Sequence, residues 1–245
     1  MAGLIKRAKR GMRRRAGDFL HGAIHHAPDS MRSRLSPALC YFEMLVLDYG
    51  IVRVLYGNKH KISDEAWRSA QPAPHHIAAA ARAGLKTVVN LRGDQSFGTM
   101  WLEERACKQH GLRLVNFRLR SRAAPTREEL HQIRALLEGI EYPALFHCKS
   151  GADRAGLMSV LYRHVREGVP IEKAKSQLSL KYGHVRQADT GVLDYFFERY
   201  IAENAQTPCS FWEWVDTRYD ADEINRTFKA NSFANRLVNG ILRRE

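Results

Sequence analysis

Residues 144–156, with the sequence A-L-F-H-C-K-S-G-A-D-R-A-G, contain the pattern that decides the fold. An apolar run ends at a short loop that contains a glycine, and a run with helical apolar spacing follows from Gly156 to Val165. This order predicts a strand, a tight loop and a helix in direct succession. The first N–H groups of a helix lack partners within the helix and favour a bound anion. The segment therefore predicts a loop that binds phosphate.

The side chains at the two ends of this loop indicate its chemistry. Cys148 begins the loop and Arg154 ends it, with five residues between them. A helix N-terminus and a nearby arginine both favour the thiolate form of a cysteine, which is the nucleophilic form. The planar guanidinium of Arg154 can bind two phosphate oxygens at once. Gly151 lets the backbone curl around an anion because glycine has no Cβ. The candidate substrate ligands are the loop positions Lys149, Ser150, Gly151, Ala152 and Ala155.

The motif His147-Cys148-x5-Arg154 resembles the signature loop of the cysteine-dependent tyrosine and dual-specificity phosphatases, in its bacterial form. Residues 148–154 are called the signature loop below. The resemblance implies a two-step reaction through a phosphocysteine at Cys148. It also implies that His147 shapes the loop and tunes the thiolate. Two further stretches, W-R-S-A-Q-P at 67–72 and N-L-R-G at 90–93, resemble the family as well.

Other interpretations of the motif are weaker. A buried structural cysteine beside a helix that happens to contain arginine does not explain the glycine or the strand–loop–helix context. A cysteine–histidine protease would explain His147 and Cys148 but not Gly151 and Arg154. A phosphatase-like module that binds phosphate and turns over poorly stays open. It is motivated by two departures from the family pattern.

The first departure concerns the proton donor. The family commonly places an aspartate on a loop upstream of the signature, but residues 118–126 contain no Asp or Glu. Two carboxyls remain, Asp153 within the signature loop and Asp94 after the neighbouring strand. The sequence favours Asp153 as the catalytic acid, because bacterial relatives carry Asp before the Arg. The alternative role for Asp153 is to brace the loop.

The second departure is Ala155, which stands where the family usually has a serine or threonine. That hydroxyl stabilises the departing thiolate, so its loss bears on hydrolysis of the phosphocysteine and not on phosphate binding. Residues 118–126 instead carry Arg118, Arg120 and Arg122, which would lie on one face if the preceding strand continues through them. With Lys149, they would suit a substrate that has more than one anionic group. An ordinary solvated basic face is the alternative.

The charge of the whole chain points to acidic partners. The 245 residues carry a formal net charge of +13, and residues 1–15 contain seven basic residues and no acid. Such a segment is expected to be flexible, with peripheral contact to an anionic membrane as an alternative. Nucleic acid is not expected, because no aromatic residue interleaves those charges. The expected partners are phosphorylated proteins, or phospholipids and inositol phosphates.

The cysteine pattern and the apolar runs predict a cellular compartment. Four widely spaced cysteines signal neither a disulfide framework nor a zinc site, so no metal or cofactor is expected. A thiolate enzyme needs a reducing compartment, which predicts the cytoplasm, with the inner membrane face as an option. No apolar run reaches the length of a membrane span, and no secretory signal is expected.

Alternating strand and helix patterns predict an α/β fold. A mostly parallel central sheet would be covered by helices on both faces, with helical extensions at both ends of the chain. Residues 1–38 form the basic segment, 39–205 the phosphatase-like domain and 206–245 a helical extension packed on it. Strands are predicted at 66–72, 87–92, 112–119 and 143–148, and helices at 39–56, 75–82, 100–110, 126–137, 154–167, 170–182 and 190–203.

Overall fold

The structure is a computed structural model, and it describes residues 38–42, 44, 57–93 and 97–228. Several sequence predictions lie outside these ranges. They are the basic segment before residue 38, most of the apolar stretch 39–56, Asp94, and the end of the C-terminal extension after residue 228. The predicted domain boundaries stay predictions.

In the described part of the chain, five short strands form one sheet. They are β1 (His60–Lys61), β2 (Ala66–Ser69), β3 (Thr87–Asn90), β4 (Arg113–Asn116) and β5 (Ala144–His147). The order across the sheet is β1-β2-β5-β3-β4, and all neighbours are parallel except β1 and β2. β5, which feeds the signature loop, lies in the middle. The predicted α/β class with a mostly parallel sheet is confirmed.

The helices of the described residues cover both faces of this sheet. They are α1 (Pro74–Arg82), α2 (Phe97–Gln109), α3 (Arg127–Gly139), α4 (Asp153–Glu167), α5 (Ile171–Ala174), α6 (Val192–Gln206), α7 (Phe211–Thr217) and α8 (Ala221–Thr227). Strand alternation divides the core between the faces. Phe146 of β5 packs with α3, α4, α6 and α7, and its neighbour Leu145 packs with α1 and α2.

Strand register brings the site to one edge of the sheet. Ser69 and Asn90 are the register partners of His147 on its two sides, and Asn90 is also paired with Asn116. The carboxyl ends of β2, β5, β3 and β4 therefore stop in line. In parallel sheets this edge is where ligands bind, and the signature loop leaves from its centre.

Local signals predicted several helix ends correctly. Thr126 and Glu129 form the expected capping box, with Glu129 N–H donating to Thr126 Oγ1 at 3.1 Å and Thr126 N–H donating to Glu129 Oε2 at 2.7 Å. Gly168 ends α4 with a φ of 65°, because a left-handed C-cap favours glycine.

The helix predicted over 170–182 is wrong. α5 ends at Ala174, and two 3-10 turns, Lys175–Gln177 and Leu180–Tyr182, follow it. The break lies at Leu178 and Ser179, where Ser179 is extended at φ −151° and ψ 162°. It frees the carbonyl of Gln177 from the helical pattern, and that carbonyl accepts a hydrogen bond from Arg68 at 2.6 Å. A long-range partner therefore outweighs local helix propensity.

The terminal parts of the described chain pack against the core. Residues 38–42 are helical, and Cys40 and Met44 are buried against Ala73 and Leu102. At the other end, α7 contributes Trp214 to the main core. Among the described helices, none combines the length and the apolar character that a membrane crossing requires.

Candidate active site

The signature loop joins the end of β5 to the start of α4. The side chain of Cys148 is buried, and the residue is only 1% exposed. Arg154 lies in the first turn of α4 and is half-buried. Its Nε is buried and has no hydrogen-bond partner among the described residues. A thiol therefore lies between a central strand and a helix N-terminus, and the loop that it begins ends at a guanidinium with an unused donor. This arrangement suits an oxyanion.

Gly151 is required by the path of the loop. Its φ is +73°, and a Cβ built there would lie 2.6 Å from both the Ala70 N and the Ser69 carbonyl carbon. Both of these atoms belong to the backbone just after β2, so they cannot move aside without displacing the sheet edge. The signature loop is consequently pressed against β2, and only glycine fits at this contact.

Arg68 supports the signature loop through hydrogen bonds to two of its carbonyl groups. This side chain is fully buried and donates from Nη2 to the carbonyls of Gly151 and Ala152, both at 2.8 Å. Because these carbonyls point toward Arg68, the N–H groups of the same peptide units point to the opposite side of the loop. Burial lowers the pKa of Arg68 to about 10, although the charges of Cys148, Tyr182 and Asp153 oppose the shift.

Asn58 fixes the same loop from a second direction. Its Nδ2 donates to the carbonyl of Ser150 at 2.8 Å and to the carbonyl of Tyr182 at 2.9 Å. The ring of Tyr182 lies under the Arg68 guanidinium, 4.2 Å from ring centroid to Cζ. Two separate segments of the chain thus hold the loop carbonyls in place.

His147 belongs to a buried polar chain. Its Nε2 lies 2.6 Å from Glu103 Oε1, and both side chains are at most 1% exposed. Glu103 Oε2 accepts from Gln71 Nε2 at 3.0 Å, and Gln71 Oε1 accepts from Arg92 Nη1 at 3.0 Å. α2 therefore places a carboxylate against the histidine that precedes Cys148.

The side chain of Asp153 is buried and forms a pair with His184. It is 3% exposed, and its Oδ1 accepts from His184 Nδ1 at 2.7 Å. His184 Nε2 donates to Asp194 Oδ2 at 2.6 Å. A carboxylate bound to a cationic imidazole carries no proton to give and would break a buried pair to reach a leaving group. The role of Asp153 as the proton donor stays a prediction, and its pair with His184 is compatible with the alternative bracing role.

The charge of His184 follows from its two partners. Burial lowers the pKa of His184, but the hydrogen bonds to Asp153 and Asp194 and the charges of those carboxylates outweigh burial and raise it to about 9. Since this value lies above the ordinary 6.5, the ionic contacts stabilise the fold fully below about pH 6.5. Their contribution is lost as the pH rises through about 9.

Comparison with known proteins identifies the family of this chain. A family model described as "DSP-PTPase phosphatase fused to NAD+ Kinase" matches residues 56–192, more than half of the chain. The chain belongs to this phosphatase family. Two relatives are each named "Dual specificity protein phosphatase TpbA", from Pseudomonas aeruginosa strains UCBPP-PA14 and PAO1. They are 31% and 32% identical over 153 residues, and the match spans 62% of this chain and 62% of theirs.

Two solved structures of TpbA are also similar to this chain. A crystal structure of P. aeruginosa TpbA covers 69% of this chain and 89% of its own, with 20% identity and a TM-score of 0.46. A structure of TpbA in complex with pTyr covers 59% of this chain and 90% of its own, with 22% identity and a TM-score of 0.44. The family model and the two sequence relatives confirm the predicted membership in the dual-specificity phosphatase family.

The three arginines upstream of the signature do not form the predicted strand face. β4 ends at Asn116, so strand alternation does not extend to them. Arg120 Nη2 lies 3.3 Å from Glu129, and Arg122 Nη1 lies 3.9 Å from Asp189. Arg118 is exposed and packs beside Gly93, where a Cβ would lie 2.9 Å from the Arg118 Cβ.

Sequence reasoning missed four buried residues around the signature loop, namely Arg68, Glu103, His184 and Asp194. A charged residue within the short buried strand β2 was a usable signal for Arg68, because a buried charge needs a partner. Glu103 and Asp194 lie on helices and His184 lies in a connection, and the sequence pattern around them gives no signal of burial. Their burial follows only from the three-dimensional arrangement.

Proposed function

We propose that this protein hydrolyses phosphate monoesters through a phosphocysteine at Cys148, with phosphotyrosine, phosphoserine or phosphothreonine of proteins as substrate. The observation that carries the proposal is the position of Cys148. It is buried at the carboxyl end of the central strand and begins the loop that leads to the N-terminus of α4, where Arg154 has an unused donor. The similarity to relatives named dual-specificity protein phosphatases supports the same activity.

The proposed reaction has two steps. In the first, the Cys148 thiolate attacks phosphorus, the bond from phosphorus to the ester oxygen breaks, and the departing alkoxide or phenoxide takes up a proton. In the second, water attacks the phosphocysteine, the sulfur–phosphorus bond breaks, and inorganic phosphate leaves. In both steps the loop N–H groups and Arg154 stabilise the charge on the transferring phosphoryl group.

The proton donor is reassigned within this proposal. Asp153, which the sequence favours, is held by His184 at 2.7 Å. Asp94, the other candidate, lies outside the described residues. It directly follows Gly93, and Gly93 follows the end of β3, the immediate neighbour of β5. The segment after β3 therefore leaves the sheet at the same edge as the signature loop, which supports Asp94 as the acid.

We expect Asp94→Asn to slow hydrolysis of an alkyl phosphate by about 100-fold, within the usual contribution of a general acid. A p-nitrophenyl ester should be much less affected, because its leaving group needs little protonation. Asp153→Asn serves as the matched control and should change the ratio of the two rates less than about threefold. The measurement is kcat for both esters with all three proteins. The reverse pattern would assign the acid to Asp153.

A second candidate substrate is a phosphoinositide or another phospholipid headgroup at a membrane surface. The exposed Arg118 beside β3 and the net charge of +13 favour a substrate with several anionic groups. Contact of the basic N-terminal segment with an anionic membrane belongs to this candidate, whereas a cytoplasmic location fits both. A weak phosphate-binding module is the remaining alternative, motivated by Ala155.

The proposal is tested by rapid mixing of the protein with p-nitrophenyl phosphate, followed by acid quenching. We expect a burst of nitrophenol equal to one per Cys148, together with a protein whose mass includes one phosphoryl group. A burst without further turnover would identify the binding module, since Ala155 would then fail to support hydrolysis. Absence of any phosphoprotein would reject the phosphocysteine. A panel of phosphopeptides and phosphoinositides then separates the substrate classes.

A further inference from the structure

The proposed reaction gives no role to a buried group of three titratable residues. Asp153, His184 and Asp194 are at most 3% exposed, and they join α4, the segment before the turn at Asp189–Gly191, and α6. Only Asp153 belongs to the signature loop. His184 and Asp194 are not expected to touch substrate, so a role for them must act through Asp153.

The two hydrogen bonds of His184 favour its cationic form. A neutral imidazole has one N–H donor, whereas an imidazolium has two. His184 meets a carboxylate at each ring nitrogen, Asp153 at 2.7 Å and Asp194 at 2.6 Å. Both contacts are satisfied when the imidazolium donates from both nitrogens to two ionised carboxylates.

The position of Asp153 poses an electrostatic problem for phosphate binding. It lies between Ala152 and Arg154, in a loop whose N–H groups are arranged for an anion. A negative charge there repels a phosphate dianion, and the repulsion is strong because the surroundings are buried and of low dielectric. A cation on the far side of the carboxylate reduces that repulsion.

We propose that His184 is a positioning residue that compensates the charge of Asp153, so that the signature loop keeps its affinity for a phosphate dianion. Asp194 holds the ring of His184 in place and keeps it cationic. This inference rests on the proposed function, since it concerns the affinity of the same loop. It gives Asp153 the role of a braced and compensated carboxylate.

Arg68 is a charged residue beside this group. It interacts with the charges of both Asp153 and Cys148, and its guanidinium is committed to the carbonyls of Gly151 and Ala152. Two carboxylates and one imidazolium give the buried group a net charge of −1. Removing the imidazolium makes the group −2, and removing Asp153 makes it 0. Removing both restores −1.

The test compares four proteins, namely wild type, His184→Gln, Asp153→Asn and the double variant. Tungstate is the probe because it stays a dianion near neutral pH and resembles the transferring phosphoryl group. Its dissociation constant is measured by calorimetry at pH 7. We expect His184→Gln to weaken binding by about tenfold or more, because an uncompensated buried charge then faces the anion. Asp153→Asn should bind at least as tightly as wild type.

The double variant is the decisive protein. Charge compensation predicts that Asp153→Asn restores the tungstate affinity of His184→Gln to within about threefold of wild type, since the net charge is restored. A purely structural role for His184 predicts a double variant that binds as weakly as His184→Gln or more weakly. The matched control is His131→Gln. His131 Nε2 also lies 2.7 Å from a carboxylate, Asp216, but that pair is exposed and its loss should not change tungstate affinity.

The outcomes separate this inference from the proposed function. If wild-type protein does not bind tungstate, the proposed function fails and this inference with it. If wild type binds but the double variant shows no recovery, only the role of His184 is overturned. If His184→Gln does not fold, the tungstate affinity of Asp153→Asn decides by itself. Binding that is tenfold weaker than wild type overturns compensation, and unchanged or tighter binding supports it.

Discussion

Replacing Cys148 with serine is expected to abolish phosphate release and to leave phosphate binding in place. The hydroxyl of serine stays protonated in this site and is a far weaker nucleophile than a thiolate, so kcat should fall by about 10⁴-fold or more. The loop N–H groups and Arg154 are untouched by the change. Because Cys148 is 1% exposed within a packed loop, the similar size of serine should keep the loop in position.

The measurement is steady-state phosphate release, with tungstate binding by calorimetry as the companion. Cys209→Ser is the matched control, since Cys209 is a free thiol in the segment between α6 and α7, away from the signature loop. It should keep the activity of wild type. Activity of Cys148→Ser within tenfold of wild type would mean that another group performs the attack.

Replacing Gly151 with alanine is expected to have the second largest effect. The new Cβ would lie 2.6 Å from the Ala70 N and from the Ser69 carbonyl carbon, and a positive φ of 73° adds strain for any residue with a Cβ. The strain alone costs about 1–2 kcal/mol. The overlap must in addition push the loop off the end of β2. A displacement of about 1 Å in such a site can lower the rate by about 100-fold.

We therefore expect Gly151→Ala to lower kcat/KM by at least about 100-fold and to weaken tungstate binding in parallel. Gly168→Ala is the matched control. Gly168 ends α4 with a φ of 65°, and a Cβ there would meet nothing within 4 Å. It should lose about 1 kcal/mol of stability from the backbone strain while kcat/KM stays unchanged. Equal activity losses in the two variants would show that strain, and not the contact with β2, limits the loop.

The sequence by itself determined the centre of the site and the class of fold. The strand, the signature loop and the helix are contiguous, so Cys148, the glycine and Arg154 could be proposed as site residues from local order alone. Apolar runs of strand and helix length predicted the sheet and most of its helices, because burial imposes period 2 on strands and 3.6 on helices. The capping box at Thr126 was likewise local.

Only the tertiary structure decided how the loop is supported and which side chain Asp153 pairs with. Arg68 reaches the carbonyl of Gly151 across 83 residues of chain, and His184 reaches Asp153 across 31. Such pairs leave no periodic signal, because each depends on where two distant segments meet. The helix predicted through Leu178 was wrong for the same reason. The signature loop is contiguous in sequence, and the sequence favours Asp153 as its acid. The conformation of the loop nevertheless depends on a buried imidazolium and a buried guanidinium from elsewhere in the chain.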